Sequence, residues 1–190
     1  MINRREALAR VALIMGGTVV GAEAFLSGCT NSPEQVANIL DFTPDTVALL
    51  DEVGETILPT TASSPGAKAA KIGDFMKVIV TDCYDEKDQK TFAKGVEEID
   101  KAADKEYGKA FVALSDDQKQ ELLIALDKEA KGYQPKEGES PHYFTLIKQL
   151  TLWGYFTSEV GATKALRYLP VPGRYDGCVP YEKGEKAWAL

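Results

Sequence analysis

Apolar residues recur at helical spacing in one segment after another between residues 43 and 167, and this pattern restricts the fold more than any other feature. A helix needs apolar residues every three or four positions, whereas a half-buried strand needs strict alternation. Neither strand-like alternation nor an internal repeat occurs in the sequence. We therefore predict an all-α fold, a small irregular helical bundle of about five helices.

Capping residues predict where the first helices begin and end. Thr43 and Pro44 are typical of a helix start, and Pro59 ends that helix. After a loop rich in Ser, Thr and Pro, a second helix continues its apolar spacing to Cys83. The spacing therefore predicts that Cys83 lies on a buried face.

Two further helices and a linker follow. Residues 85–107 carry one apolar stripe among charged faces, which is typical of a solvated amphipathic helix. Ser115 and Gln118 form a capping-box pattern, which predicts a fourth helix to about residue 131. Residues 132–139 are a polar linker.

The last long helix and the C-terminal segment differ from the rest. Ser140 and Pro141 open a helix whose apolar residues point in every direction, so either other helices surround it or part of it faces a partner. After Arg167, Pro and Gly recur every few residues and exclude a helix. We expect an extended tail from about residue 168, held in place by Cys178, within a single domain of residues 43–190.

The N-terminus has the order of a bacterial lipoprotein signal. Arg4 and Arg5 precede an apolar stretch that ends in Leu-Ser-Gly and Cys29. A membrane-spanning helix is the alternative, but the stretch is short, contains three glycines and carries Glu23. We predict a signal peptide over residues 1–29 and a lipid anchor on Cys29.

This signal places the protein in the bacterial cell envelope, lipid-anchored on the periplasmic side, with residues 30–42 as a polar leader. Arg4 and Arg5 suggest export by the twin-arginine route, which accepts folded proteins. Among the flanking residues only Leu8 fits the usual twin-arginine pattern, so export by the general secretory route stays open. The net charge of −7 opposes binding to nucleic acid or anionic lipid. Membrane association then depends on the acyl chains at Cys29.

Two other cysteines remain in what would be an oxidising compartment. A disulfide between Cys83 and Cys178 is the first expectation, and it would contribute about 4 to 5 kcal/mol on a chain-entropy argument. Two buried thiols, or a bond from one cysteine to another chain, are the alternatives. Two cysteines and the single His142 are too few and too far apart for a zinc site.

The sequence lacks the motifs of common catalytic sites. It has no phosphate-binding glycine loop, dinucleotide fingerprint, haem-attachment motif or nucleophile elbow. His142 fits a surface or capping residue better than a general base, and the clustered carboxylates fit helix starts and solvated faces. We predict no catalytic residue, no metal site and no cofactor in this chain.

Aromatic and arginine side chains of the kind enriched at interface hot spots are concentrated near the C-terminus. They mark either a partner interface or the contact of the tail with its own bundle. The interface candidates are Trp153, Tyr155, Phe156, Arg167, Tyr168, Arg174, Tyr175 and Tyr181.

Five blocks together resemble the gluconate 2-dehydrogenase subunit 3 family. They are residues 50–59 (Leu-Asp-Glu-Val-Gly-Glu-Thr-Ile-Leu-Pro), 65–67 (Pro-Gly-Ala), 82–84 (Asp-Cys-Tyr), 154–159 (Gly-Tyr-Phe-Thr-Ser-Glu) and 169–178 (Leu-Pro-Val-Pro-Gly-Arg-Tyr-Asp-Gly-Cys). The resemblance implies a small exported subunit that does no chemistry itself. It also implies an FAD-dependent partner of the glucose-methanol-choline (GMC) class that oxidises a sugar or alcohol, often with a cytochrome c subunit as electron acceptor.

Two functions follow from these expectations. The first is an accessory subunit that binds, stabilises and helps to export the flavin dehydrogenase, with the last helix and the tail as its docking surface. The second is a free-standing envelope lipoprotein that binds a ligand or has a structural role, which a monomer with fully buried aromatics would favour.

Overall fold

In the computed structural model, residue 6, residues 41–171 and residues 173–189 are described. Except for residue 6, the predicted signal peptide lies outside the described residues, as do the predicted export residues Arg4 and Arg5 and the predicted lipid anchor Cys29. The described part of the leader ends at Phe42, whose ring lies 6.4 Å from the ring of Phe92 and packs against the core.

Five α-helices make up the described bundle, and no strand is present in residues 41–171 or 173–189. They are α1 (Pro44–Ile57), α2 (Ile72–Cys83), α3 (Glu86–Tyr107), α4 (Asp116–Gly132) and α5 (Tyr143–Thr157). Short 3-10 turns at Ala67–Ala70 and Phe111–Ala113, and a π turn at Gly161–Ala165, connect or extend them. The predicted all-α bundle is confirmed.

Local capping explains why these helices start where they do. Thr43 accepts a hydrogen bond from the Thr46 amide at the start of α1. Ser115 and Gln118 form the complete capping box of α4. The last helix begins slightly later than predicted, because His142 is its N-cap and its Nδ1 accepts from the Phe144 amide at 3.2 Å.

Helix α5 lies at the centre of the bundle and contacts each of the other four α-helices. Most of its apolar side chains are therefore buried, although the outer face of its C-terminal half is not covered. The largest fully buried side chains of the core are Leu50, Ile72, Met76, Phe92, Ile99, Phe111, Phe144, Ile147 and Leu150.

The predicted burial of Cys83 is wrong. Cys83 is the last residue of α2 and is exposed, and Cys178 is also exposed. Periodicity describes the side of a helix on which a residue lies, but it does not tell whether a neighbouring element reaches that side at the end of the helix. Both thiols are free, so the expected disulfide between them is not formed.

Candidate functional site

The carboxylates of α1 hold the loop that leads into α2. Asp51 Oδ1 accepts a hydrogen bond from the Gly73 amide at 2.8 Å, which fixes the first turn of α2. Glu55 accepts from the amides of Thr60 and Lys68, at 2.8 and 2.9 Å. The acidic residues of the block at 50–59 thus organise the scaffold, because charged acceptors make strong bonds to backbone donors.

Glu52, on the same helix, joins two lysines. Its carboxylate forms an ion pair with Lys68, and Lys119 Nζ on α4 lies 3.0 Å from its Oε2. Burial acts to raise the pKa of Glu52, but the hydrogen bonds from the two ammonium groups outweigh burial and lower the pKa. Lys119 is buried, so this pair connects α1 to α4 inside the protein.

Tyr155 belongs to the core and not to the surface on which it was predicted as an interface candidate. Only 3 % of the residue is exposed, and its hydroxyl donates to the Pro65 carbonyl at 2.5 Å. The hydroxyl therefore supplies a hydrogen bond to a carbonyl of the loop while the ring packs in the core of the bundle. This contact links the family blocks at 65–67 and 154–159.

An exposed apolar face occupies the outer side of α5 near its end. Leu152, Trp153 and Phe156 are exposed, with Trp153 at 52 %. The Trp153 ring meets Phe75 of α2 edge to face, with centroids 5.4 Å apart, and Val78 of α2 is also exposed. We call these five side chains the α2/α5 apolar face.

Glycines shape this face and the end of α5. A Cβ at Gly154 would lie 2.5 Å from Cδ1 of Phe75, so only glycine lets the Phe75 ring rest against the helix. Beyond α5, Ser158 Oγ accepts from the Gly161 amide at 3.0 Å and starts a new turn. A Cβ at Gly161 would overlap the carbonyl oxygen of Tyr155. The chain therefore turns sharply here towards the C-terminal segment.

The C-terminal segment is irregular, as predicted, but it is held by Arg167 and not by Cys178. The backbone of Arg167 pairs with residues 187 and 189, and its guanidinium contacts Glu185 and Trp188. The interface candidates Tyr168, Arg174, Tyr175 and Tyr181 are all exposed, with Tyr175 at 93 %. Arg167 itself is half-buried among contacts within the chain.

A groove with a volume of about 570 Å³ lies between α3 and the residues before α5. Tyr143 lines this groove, and burial, with Glu129 and Glu98 nearby, raises its pKa to about 12. Tyr143 therefore stays protonated at neutral pH. The nearby His142 acts as a helix cap, as predicted.

Residues 41–171 and 173–189 contain no group of three or more His, Cys, Asp or Glu side chains that could hold a metal ion. Within the same ranges, no helix has both the length and the apolar character needed to cross a bilayer.

Sequence reasoning identified Trp153 and Phe156 but missed Phe75 and Val78, which complete the face from α2. Phe75 belongs to the apolar stripe of the second predicted helix and Val78 does not, and periodicity alone does not tell which part of a helix surface its neighbours leave uncovered. It also missed Asp100, which belongs to the clustered carboxylates assigned above to solvated faces: its Oδ1 accepts a hydrogen bond from the Phe111 amide at 2.8 Å.

A known protein family matches most of the chain. The model of the gluconate 2-dehydrogenase subunit 3 family matches residues 44–173, from the first residue of α1 into the C-terminal segment. No curated protein and no solved structure matches the chain. Because the family match covers more than half of the sequence, the chain belongs to the gluconate 2-dehydrogenase subunit 3 family.

Proposed function

We propose that this chain is the non-catalytic small subunit of a periplasmic FAD-dependent dehydrogenase of the GMC class, which it binds, stabilises and helps to export. The observation that carries the proposal is the family match over residues 44–173. The flavin and the oxidation chemistry then belong to the partner, and a cytochrome c subunit is the expected electron acceptor.

The α2/α5 apolar face and the C-terminal segment are the proposed docking surface. The aromatic rings of Trp153 and Phe156 are partly exposed to solvent, and the side chains of Tyr175 and Tyr181 are exposed further along the C-terminal segment. A contiguous exposed apolar face favours a protein contact, and aromatic side chains dominate the binding energy of such contacts. Because these aromatics are exposed, a free-standing role is the weaker interpretation.

The direct test is to isolate the tagged full-length protein from membranes and to record the visible spectrum of what accompanies it. We expect flavin absorbance at close to one flavin per chain. The double variant W153A/F156A should lose most of it, whereas I124A, which truncates an exposed apolar side chain of α4, should retain it. A wild-type preparation without a flavoprotein would contradict the proposal.

Export of the flavoprotein together with this chain needs a separate test, because a subunit can bind the flavoprotein without providing its export signal. In the double variant R4K/R5K, the twin-arginine route should fail, and the flavoprotein should accumulate in the cytoplasm together with this chain. A flavoprotein that still reaches the periplasm in this variant would rule out carriage by Arg4 and Arg5 while leaving the subunit role intact.

A further inference from the structure

Residues 185, 187, 188 and 189 contact Arg167. The Arg167 amide donates to the Ala187 carbonyl at 2.8 Å, and the Ala189 amide donates to the Arg167 carbonyl at 2.7 Å. The guanidinium forms an ion pair with Glu185 and lies 4.3 Å from the centre of the Trp188 ring. We call Arg167, Glu185 and Trp188 the C-terminal clasp.

The clasp closes residues 168–184 into a loop. Within the loop, Tyr175, Val171 and Tyr181 are each more than three-quarters exposed, so few contacts with the bundle hold it in shape. Arg174 pairs only locally, with Asp176 at 2.8 Å. An unclosed segment of this length would sample many conformations, and ordering it on binding would reduce affinity.

We infer that the clasp fixes this loop in the conformation that binds the partner subunit, an inference that rests on the proposed function. Arg167 is then a positioning residue, which acts through the loop and not by touching the partner. A planar guanidinium can pair with a carboxylate and lie over an indole at the same time, which a lysine ammonium does less well. R167K should therefore restore the loop only in part.

Hydrogen exchange of the full-length protein tests the closure without any partner. In R167A, amide exchange in residues 168–189 should accelerate on the order of tenfold while exchange in α1 to α5 stays unchanged. R174A, an arginine change inside the same loop, should leave exchange at residues 185–189 at the wild-type rate. Unchanged exchange in R167A would overturn the inference.

Capture of the flavoprotein tests the link to binding. Tagged R167A should capture on the order of tenfold less flavoprotein than wild type, and R167K an intermediate amount. If R167A opens the loop but captures as much flavoprotein as wild type, the inference is wrong and the proposed function stands. If wild type itself captures none, the proposed function fails, and the binding role of the clasp fails with it.

Discussion

The ammonium group of Lys119 lies 3.0 Å from Glu52 Oε2 inside the bundle, and this ion pair links α4 to the acidic side of α1. Lys119 is only 6 % exposed, whereas the side chain of Glu52 keeps partial contact with solvent and also pairs with Lys68. If either residue is removed, the charge of the other is therefore compensated only in part by the groups that remain around it.

The first prediction concerns this pair. K119A should lower the free energy of unfolding by about 2 to 4 kcal/mol, because it leaves Glu52 short of one charged partner and removes buried methylenes. Urea unfolding followed by circular dichroism measures the change. K128A, an exposed lysine change on the same helix, should alter stability by less than about 0.5 kcal/mol.

The second prediction is loss of stability in acid. The pKa values of Glu52 and Glu55 are lowered despite burial, by hydrogen bonds from Lys68 and Lys119 and from Lys68 and Thr60, respectively. The folded state thus binds their protons more weakly than the unfolded state does. Their stabilisation is present above the ordinary glutamate pKa and is lost as pH falls below about 4.5.

Asp51 has the opposite effect on stability in acid, because burial raises its pKa despite the hydrogen bond from the Gly73 amide. Asp127 adds to the effect of the two glutamates, because hydrogen bonds from Lys131 and Lys148 lower its pKa. The urea midpoint of the wild type should therefore still fall between about pH 5 and pH 3. E52Q should show a shallower fall, and E137Q, in the exposed linker, should follow the wild type. Equal slopes for wild type and E52Q would contradict the assignment.

The third prediction concerns the packing of α2 on α5. G154A places a methyl group 2.5 Å from the Phe75 ring and should destabilise the protein by about 1 to 3 kcal/mol. The shift of Phe75 should also change the fluorescence of Trp153, its edge-to-face neighbour. At Gly132 a Cβ would meet nothing within 4 Å, so G132A should be neutral or stabilising by up to about 1 kcal/mol.

Sequence reasoning succeeded where the deciding contact is local. The start of α1 depends on Thr43 and Thr46, and that of α4 on Ser115 and Gln118, each three residues apart. Contacts between distant residues were not predictable, because spacing carries no information about which helices pack together. The bond from Tyr155 to Pro65 spans 90 residues, and it moved a predicted interface residue into the core.

The fourth prediction concerns the thiols. Because Cys83 and Cys178 are both free and exposed, both should react with iodoacetamide in the native isolated protein, as read by peptide mass. Protection of both until a reductant is added would mean that they bond to each other after all. Protection of Cys178 only in the partner-bound preparation, if a reductant reverses it, would indicate a disulfide to another chain.

The last prediction concerns the anchor. A net charge of −7 repels anionic lipid, so membrane attachment should depend on acyl chains at Cys29. C29A should move the protein from the membrane fraction to the soluble fraction of fractionated cells. C83A, which changes a thiol away from the signal, should stay with the membrane.

Retention of C29A would mean that the apolar N-terminal stretch remains as an uncleaved anchor, or that a tightly bound partner supplies the attachment. Washing the membranes with urea separates these two outcomes, because a bound subunit is released by unfolding whereas an inserted apolar segment is not.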